Sequence, residues 1–127
     1  MKTTKRLLKP SGLFLLHTIG NSKKKTGTDP WINKYIFPNG MLPPPVCVAK
    51  AITGLYVMED WHNFGAITIR RSLAWHQRFE EGYVEGAFQC SERVRRMYRY
   101  YLLSCAGAFR ARDIQLWQIV LSPEGVE

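Results

Sequence analysis

Few residues in this 127-residue chain can do acid–base, nucleophilic or metal chemistry: three histidines, His17, His62 and His76, and three cysteines, Cys47, Cys90 and Cys105. A metal centre needs clustered ligands, and neither a CxxC nor an HExxH spacing occurs, so no metal site is expected. No GxGxxG or Walker-type loop offers backbone amides to a phosphate. Cys105 sits in "LLSCAGAF" (102–109). A thiol on the apolar face of a helix is ordinarily packing material, whereas a reactive one needs a lowered pKa. By that test Cys105 packs rather than reacts. His17 follows an apolar run at 13–16 and either caps a strand or lines a site, because open α/β sheets bind ligands beyond their C-terminal strand ends. The odd cysteine count without paired spacing argues against a disulfide framework and for a reducing compartment, the cytoplasm.

The elements that must position these residues follow from local pattern. A turn at 10–12 precedes the run 13–16, which suits a strand buried on both faces with His17 at its end. "NSKKKTGTDP" (21–30) is a loop whose lysines, 23–25, are solvated. Residues 38–40, Pro-Asn-Gly, form a turn, and the prolines at 43–45 force an extended stretch that excludes a helix there. A second short strand lies near 55–58, "HNFG" breaks it, and a helix runs over about 66–79.

"SERVRRMYRYYLLSCAGAF" (91–109) has the clearest helical period. Val94, Met97, Tyr98, Tyr101, Leu102 and Cys105 share one face, Ser91 is the N-cap, and Arg95, Arg96 and Arg99 lie outside with Glu92. The small residues 106–108 allow close approach of a backbone or ligand. "IQLWQIVLS" (114–122) is a strand.

Eighteen Lys and Arg against ten Asp and Glu give a charge of +8 and favour an anionic partner. Nucleic acid and acidic phospholipid both qualify. The tyrosines of the basic helix fall with its apolar residues, which disfavours base stacking; composition does not decide between nucleic acid and lipid headgroups, and on balance no nucleic acid is expected as partner. No stretch approaches the roughly 20 apolar residues of a bilayer span, and the N-terminal apolar run is too short for a signal peptide, so membrane contact is expected to be peripheral.

Four stretches, "LLHTIG" (15–20), "DPWINKYIFPNG" (29–40), "VMEDWHNFG" (57–65) and "YYLLSCAGAFRARDIQLWQ" (100–118), stand in an order and spacing that resemble the cyclopropane-fatty-acyl-phospholipid synthases, the family that includes the mycolic acid cyclopropane synthases. The resemblance implies an α/β architecture, the C-terminal part of a class I S-adenosylmethionine-dependent methyltransferase (Rossmann-like) fold with its last three strands and inserted helices. The run at 13–16 would be the fifth strand, that near Val57 the sixth, and 114–121 the antiparallel seventh. Residues 1–127 would then be a single partial domain without the first four strands, the Gly-rich loop and the acidic residue that hold the cofactor.

The implied activity is transfer of a methylene or methyl group from S-adenosylmethionine to a cis double bond of phospholipid acyl chains. In that chemistry the alkene attacks the sulfonium methyl, and a bound bicarbonate removes a proton from the new methyl group so that the ring closes. By motif position, His17 and the backbone of Ile19 match bicarbonate-holding residues, and Cys105 matches an active-site cysteine. After "DWHNFGA" the family has an acidic residue and a bicarbonate-holding tyrosine, but this chain continues "ITI", so Thr68 occupies the tyrosine's place. Its shorter hydroxyl would reach the anion only through water. The resemblance thus implies phospholipid acyl chains at the inner membrane face as substrate, with a separately encoded N-terminal half or a homodimer as partner. The chain is expected to be truncated and inactive alone, and the alternative is a non-catalytic basic remnant or subunit that binds an acidic membrane surface or a partner N-terminal half.

Overall fold

In the computed structural model, described over residues 1–23 and 27–126, the elements in chain order are α1 (Lys2–Leu7), β1 (Phe14–Asn21), α2 (Pro30–Tyr35), α3 (Pro45–Ile52), β2 (Val57–Asn63), α4 (Gly65–Val84), α5 (Glu92–Arg110) and β3 (Ile114–Ser122). The last strand is central. β3 pairs antiparallel with β1 on one side, His17 opposite Gln118, and antiparallel with β2 on the other, giving the order β1-β3-β2. A bulge between Met58 and Asp60 displaces Glu59, whose carboxylate accepts from the Ser122 hydroxyl and from Val126 N.

Strand alternation divides β3 into two faces. Trp117, Ile119 and Leu121 face α3 and bury with Val48 and Ile52, while Phe14, Leu16, Tyr56 and Trp61 pack around them. Leu116 and Gln118 face the other way, towards α4 and α5.

β1 departs from the expectation of a short strand buried on both faces. It runs on to Asn21, and its burial alternates along most of its length, with Leu15 and Ile19 exposed and Phe14, Leu16 and Thr18 half-buried. Only one face meets α3, and His17 consequently stands in mid-strand, not at the end. The turn before it closes as expected, Gly12 N donating to Lys9 O at 2.9 Å. Of the lysine run 23–25, Lys23 is exposed and also paired with Asp113 at 2.7 Å, and the other two lie outside the described residues.

The proline stretch does not exclude a helix. Pro44 is extended, and Pro45 is the first residue of α3, a position whose amide has no helical partner and whose φ proline presets. α2, also begun by a proline, is capped by Asp29, whose carboxylate accepts from Trp31 N and Ile32 N. The Pro38-Asn39-Gly40 turn forms as expected, with Asn39 at φ +61° and Gly40 N donating to Phe37 O.

α4 and α5 form an antiparallel hairpin. Gly86, at φ +72°, ends α4, with Gly86 N bonding Tyr83 O and Ala87 N bonding Gly82 O. Ser91 caps α5 as expected, its hydroxyl accepting from Val94 N. Arg95 is not on the outer face. It is half-buried, donates to Glu80 at 2.6 Å and lies over the Tyr83 ring at 4.3 Å, so its hydrogen bond and charge hold the Glu80 carboxyl below its ordinary range. Val94 and Tyr98 are exposed, and the buried stripe shifts to Leu102, Ala106 and Phe109. At the far end Arg112 takes φ +59° and turns the chain into β3, held there by Asp113 N to Ala108 O and by its own bond to the Gln115 side chain.

Two glycines are opposites. A Cβ on Gly20 would lie 2.1 Å from the Trp117 ring and 2.6 Å from Pro43 O, so only glycine lets residues 42–43 close over the end of β1. A Cβ on Gly107 would meet nothing within 4 Å, so no close approach occurs at that position, whereas Ala106 beside it is buried. Gly20→Ala should therefore lower the free energy of urea unfolding by about 1–3 kcal/mol through overpacking. Gly107→Ala should raise it by about 0.5–1 kcal/mol through helix propensity.

Candidate functional site

The sequence-predicted residues converge. His17 and Ile19 of β1, Thr68 of α4 and Cys105 of α5 line one open cavity of about 420 Å³, together with Met41, Leu42, Trp75, Tyr101 and Leu116. Each arrives by a separate local cause. Leu42 is tied to β1 because Asn21 Nδ2 donates to Leu42 O at 2.8 Å and Asn21 N donates to Pro43 O. α4 is tied to β3 because Asn63 bridges the two, its Nδ2 donating to Gln115 Oε1 and its Oδ1 accepting from Gly65 N.

His17 has a partner that the sequence reading did not find. Gln118, directly opposite on β3, donates from Nε2 to His17 Nδ1 at 3.1 Å. An amide nitrogen only donates, so Nδ1 accepts, and in the neutral ring the proton resides on Nε2. His17 is thereby set as an Nε2–H donor. Ile19 offers its backbone. Asn21 N–H turns away from β3 onto Pro43 O, and the alternation of an antiparallel ladder puts Ile19 N–H on the same outer edge.

Thr68 is buried, and its hydroxyl donates to Phe64 O at 2.9 Å, one helical turn back. Its proton is spent within α4, which leaves the oxygen as an acceptor. The neighbouring cation was missed although its signal was present. Thr68, Arg71, Ser72 and Trp75 are spaced i, i+3, i+4 and i+7 on α4, and all four line the cavity. No carboxylate lines it among the described residues. A guanidinium alongside His17, with no facing carboxylate among the described residues, makes a lining receptive to a small anion.

Cys105 is half-buried beside Tyr101, one turn earlier on α5. Burial pushes the thiol up from its ordinary value, against a hydrogen bond with Tyr101 that lowers it. Burial, reinforced by the adjacent Cys105, pushes the Tyr101 phenol up to about 12. At neutral pH both are protonated, so the pocket contains a thiol and not a thiolate nucleophile.

An α/β sheet with a central antiparallel last strand, helices on both faces and a lined cavity against β1 is the C-terminal part of a methyltransferase-type fold. The comparisons carry this to a family. The model for mycolic acid cyclopropane synthetase matches residues 1–119, and the chain belongs to that family. It is 58% identical over 122 residues to the cyclopropane-fatty-acyl-phospholipid synthase of Escherichia coli (strain K12), covering 96% of this chain and 32% of that relative. It is 51% identical over 80 residues to the synthase of Citrobacter freundii, covering 63% of this chain and 89% of that relative. Among solved structures it resembles the cyclopropane synthase MmaA2 from Mycobacterium tuberculosis with a TM-score of 0.80 and 27% identity, over 94% of this chain and 47% of that one. It resembles mycolic acid cyclopropane synthase CmaA1, solved with SAH and CTAB, with a TM-score of 0.76 and 25% identity, over 92% of this chain and 46% of that one. The chain spans about a third of the length of the E. coli relative.

Two measurements check the site. Tyr101 holds its proton more tightly when folded than at its ordinary value of 10.0, so the stability it contributes is whole below pH 10 and is lost as pH rises towards about 12. Tyr101→Phe should make the fall in unfolding free energy across that window shallower. In nitrogen NMR of the neutral His17 ring, the Nε2–H tautomer should dominate, and Gln118→Ala should shift the signals towards a tautomer mixture while the other two histidines stay unchanged.

Proposed function

We propose that this chain is the C-terminal part of a cyclopropane-fatty-acyl-phospholipid synthase-type methyltransferase and supplies the half of the active site that holds the anion and the reacting acyl segment. One observation carries the reading. The four positions singled out by resemblance, His17, Ile19, Thr68 and Cys105, come from three elements and meet in one cavity.

Bicarbonate fits the residues present. His17 Nε2–H and Ile19 N–H would donate to it, with Arg71 supplying the balancing charge. Bound there, bicarbonate supplies the base that removes a proton from the new methyl group. Gln118 keeps His17 in the donating tautomer, Thr68 oxygen accepts a bridging water, and Tyr101, Trp75 and Leu116 exclude bulk water from the apolar side. Cys105 contributes an uncharged, polarizable wall beside the acyl chain.

S-adenosylmethionine does not fit within this chain alone. Gly20, where β1 closes, is filled by Trp117 and Pro43 O, and no open backbone cradle remains there for a nucleotide. Its binding elements belong to the first four strands of the fold, which a separately encoded N-terminal half would bring to the outer edge of β1. In this reading the substrate is a phospholipid acyl chain at the cytoplasmic face of the membrane. Contact is peripheral, and among the described residues no helix is long and apolar enough to cross a bilayer.

Thr68 favours a second reading, a non-catalytic subunit, because its hydroxyl donates into its own helix instead of towards an anion. Calorimetric titration with S-adenosylmethionine separates the two. Heat of binding only when the chain is mixed with the N-terminal portion of a related synthase supports a complementing half-enzyme. No heat in either arm overturns it in favour of the subunit.

A further inference from the structure

A second cavity exceeds the site pocket in volume. A groove of about 890 Å³ runs along the opposite face of α5, between that helix and Trp31 of α2. Arg93, Arg96 and Arg99, spaced three apart, stand along it, and all three are exposed. None forms an ion pair among the described residues, whereas Arg95 of the same helix is committed to Glu80 and Glu92. Glu92, the one acid at the groove, has its carboxylate 3.6 Å from Arg95.

Between the guanidiniums the floor is apolar. Met97 and Leu103 lie along it, and Trp31 meets Tyr100 edge to face at 4.5 Å. Three cations beside an apolar, aromatic floor match an amphiphile with a phosphate at one end. They match a polyanion less well, since a nucleic acid would leave Met97 and Leu103 against charged backbone. The indole and phenol rings are of the kind that partition to the level of lipid headgroups.

We infer that the Arg93–Arg96–Arg99 groove is the surface by which the chain docks on anionic phospholipid, the guanidiniums engaging headgroup phosphodiesters and Trp31 entering the interface. This deepens the membrane reading above and rests on it, but it requires no catalysis. α5 presents the groove on one face and Tyr101, Leu102 and Cys105 to the site pocket on the other. Docking through this helix therefore fixes the pocket's distance from the bilayer, which a diffuse charge of +8 would not do.

The test is sedimentation of the full chain with vesicles of phosphatidylglycerol or phosphatidylcholine at low salt. Replacing three arginines should weaken binding to phosphatidylglycerol by about 100-fold. The variant is Arg93→Gln/Arg96→Gln/Arg99→Gln, and a charge-matched control, Lys2→Gln/Arg6→Gln/Lys9→Gln, should change it by less than about threefold. Vesicles carrying brominated phosphatidylglycerol should quench tryptophan fluorescence, and Trp31→Phe should abolish most of that quenching. Glycerol phosphate in solution should compete only weakly, which separates a lipid surface from a free phosphate site. Equal losses in the two triple variants would overturn the groove while leaving the membrane reading intact. Absence of binding to either vesicle by the parent chain would overturn both, and tighter binding to duplex DNA that the groove variant loses would reassign the surface to nucleic acid.

Discussion

β3 is hydrogen-bonded along both of its edges, and the site exists because of that double engagement. The strand comes last in sequence yet lies between the first two, so His17 from one end of the chain and Cys105 from the other can reach one cavity only after β3 has closed the sheet. Its alternation then does two separate things. Trp117, Ile119 and Leu121 bury against α3 and hold the fold, while Leu116 and Gln118, one residue out of phase, serve the pocket. A register slip of one residue between β1 and β3 would exchange the two sets and put Gln118 into the core, so the burial of Ile119 and Leu121 fixes the geometry of His17.

The same closure limits what can surround the pocket. Trp117 fills the space over Gly20 and, with Pro43, clamps the end of β1. The clamp brings Leu42 into the cavity lining. Upstream of this clamp, the same outer edge of β1 pairs with no strand among the described residues. Leu15 and Ile19 remain exposed on a strand paired along one side only, a template for a further strand. The outer edge of β1 thus carries both Ile19 N–H and the room for a further strand.

Much of this was legible in the sequence where a single local rule decides the outcome. The Ser91 cap, the helix beyond "HNFG", the Pro38-Asn39-Gly40 turn and the last strand each follow from side-chain chemistry within a few residues. The misreadings arose where two rules compete. Proline removes a donor, which suggests extended chain at 43–45, yet the same loss costs nothing in a helix's first turn, and α3 begins there. Arg95 falls on the polar side by period, but Glu80 and Tyr83 on α4 draw it inward. Gln118 and Arg71 as site residues depend on register and on helix placement, which no local window contains.

The pocket's electrostatics bear on the role of Cys105. Nucleophilic catalysis needs a stabilised thiolate, and a cation such as Arg71 in the same cavity would favour one if it were close. Burial dominates instead and keeps the thiol protonated, while the Tyr101 phenol beside it is protonated more firmly still. Two neutral acids then line the same cavity as His17, Ile19 and Arg71. In the function proposed above, such a lining would hold a small anion close to hydrocarbon. That juxtaposition is what deprotonation of a methyl group on an acyl chain requires, and a charged cysteine between the two would oppose it by repelling the anion. On that proposal, packing and function ask the same thing of Cys105: a thiol that does not ionise.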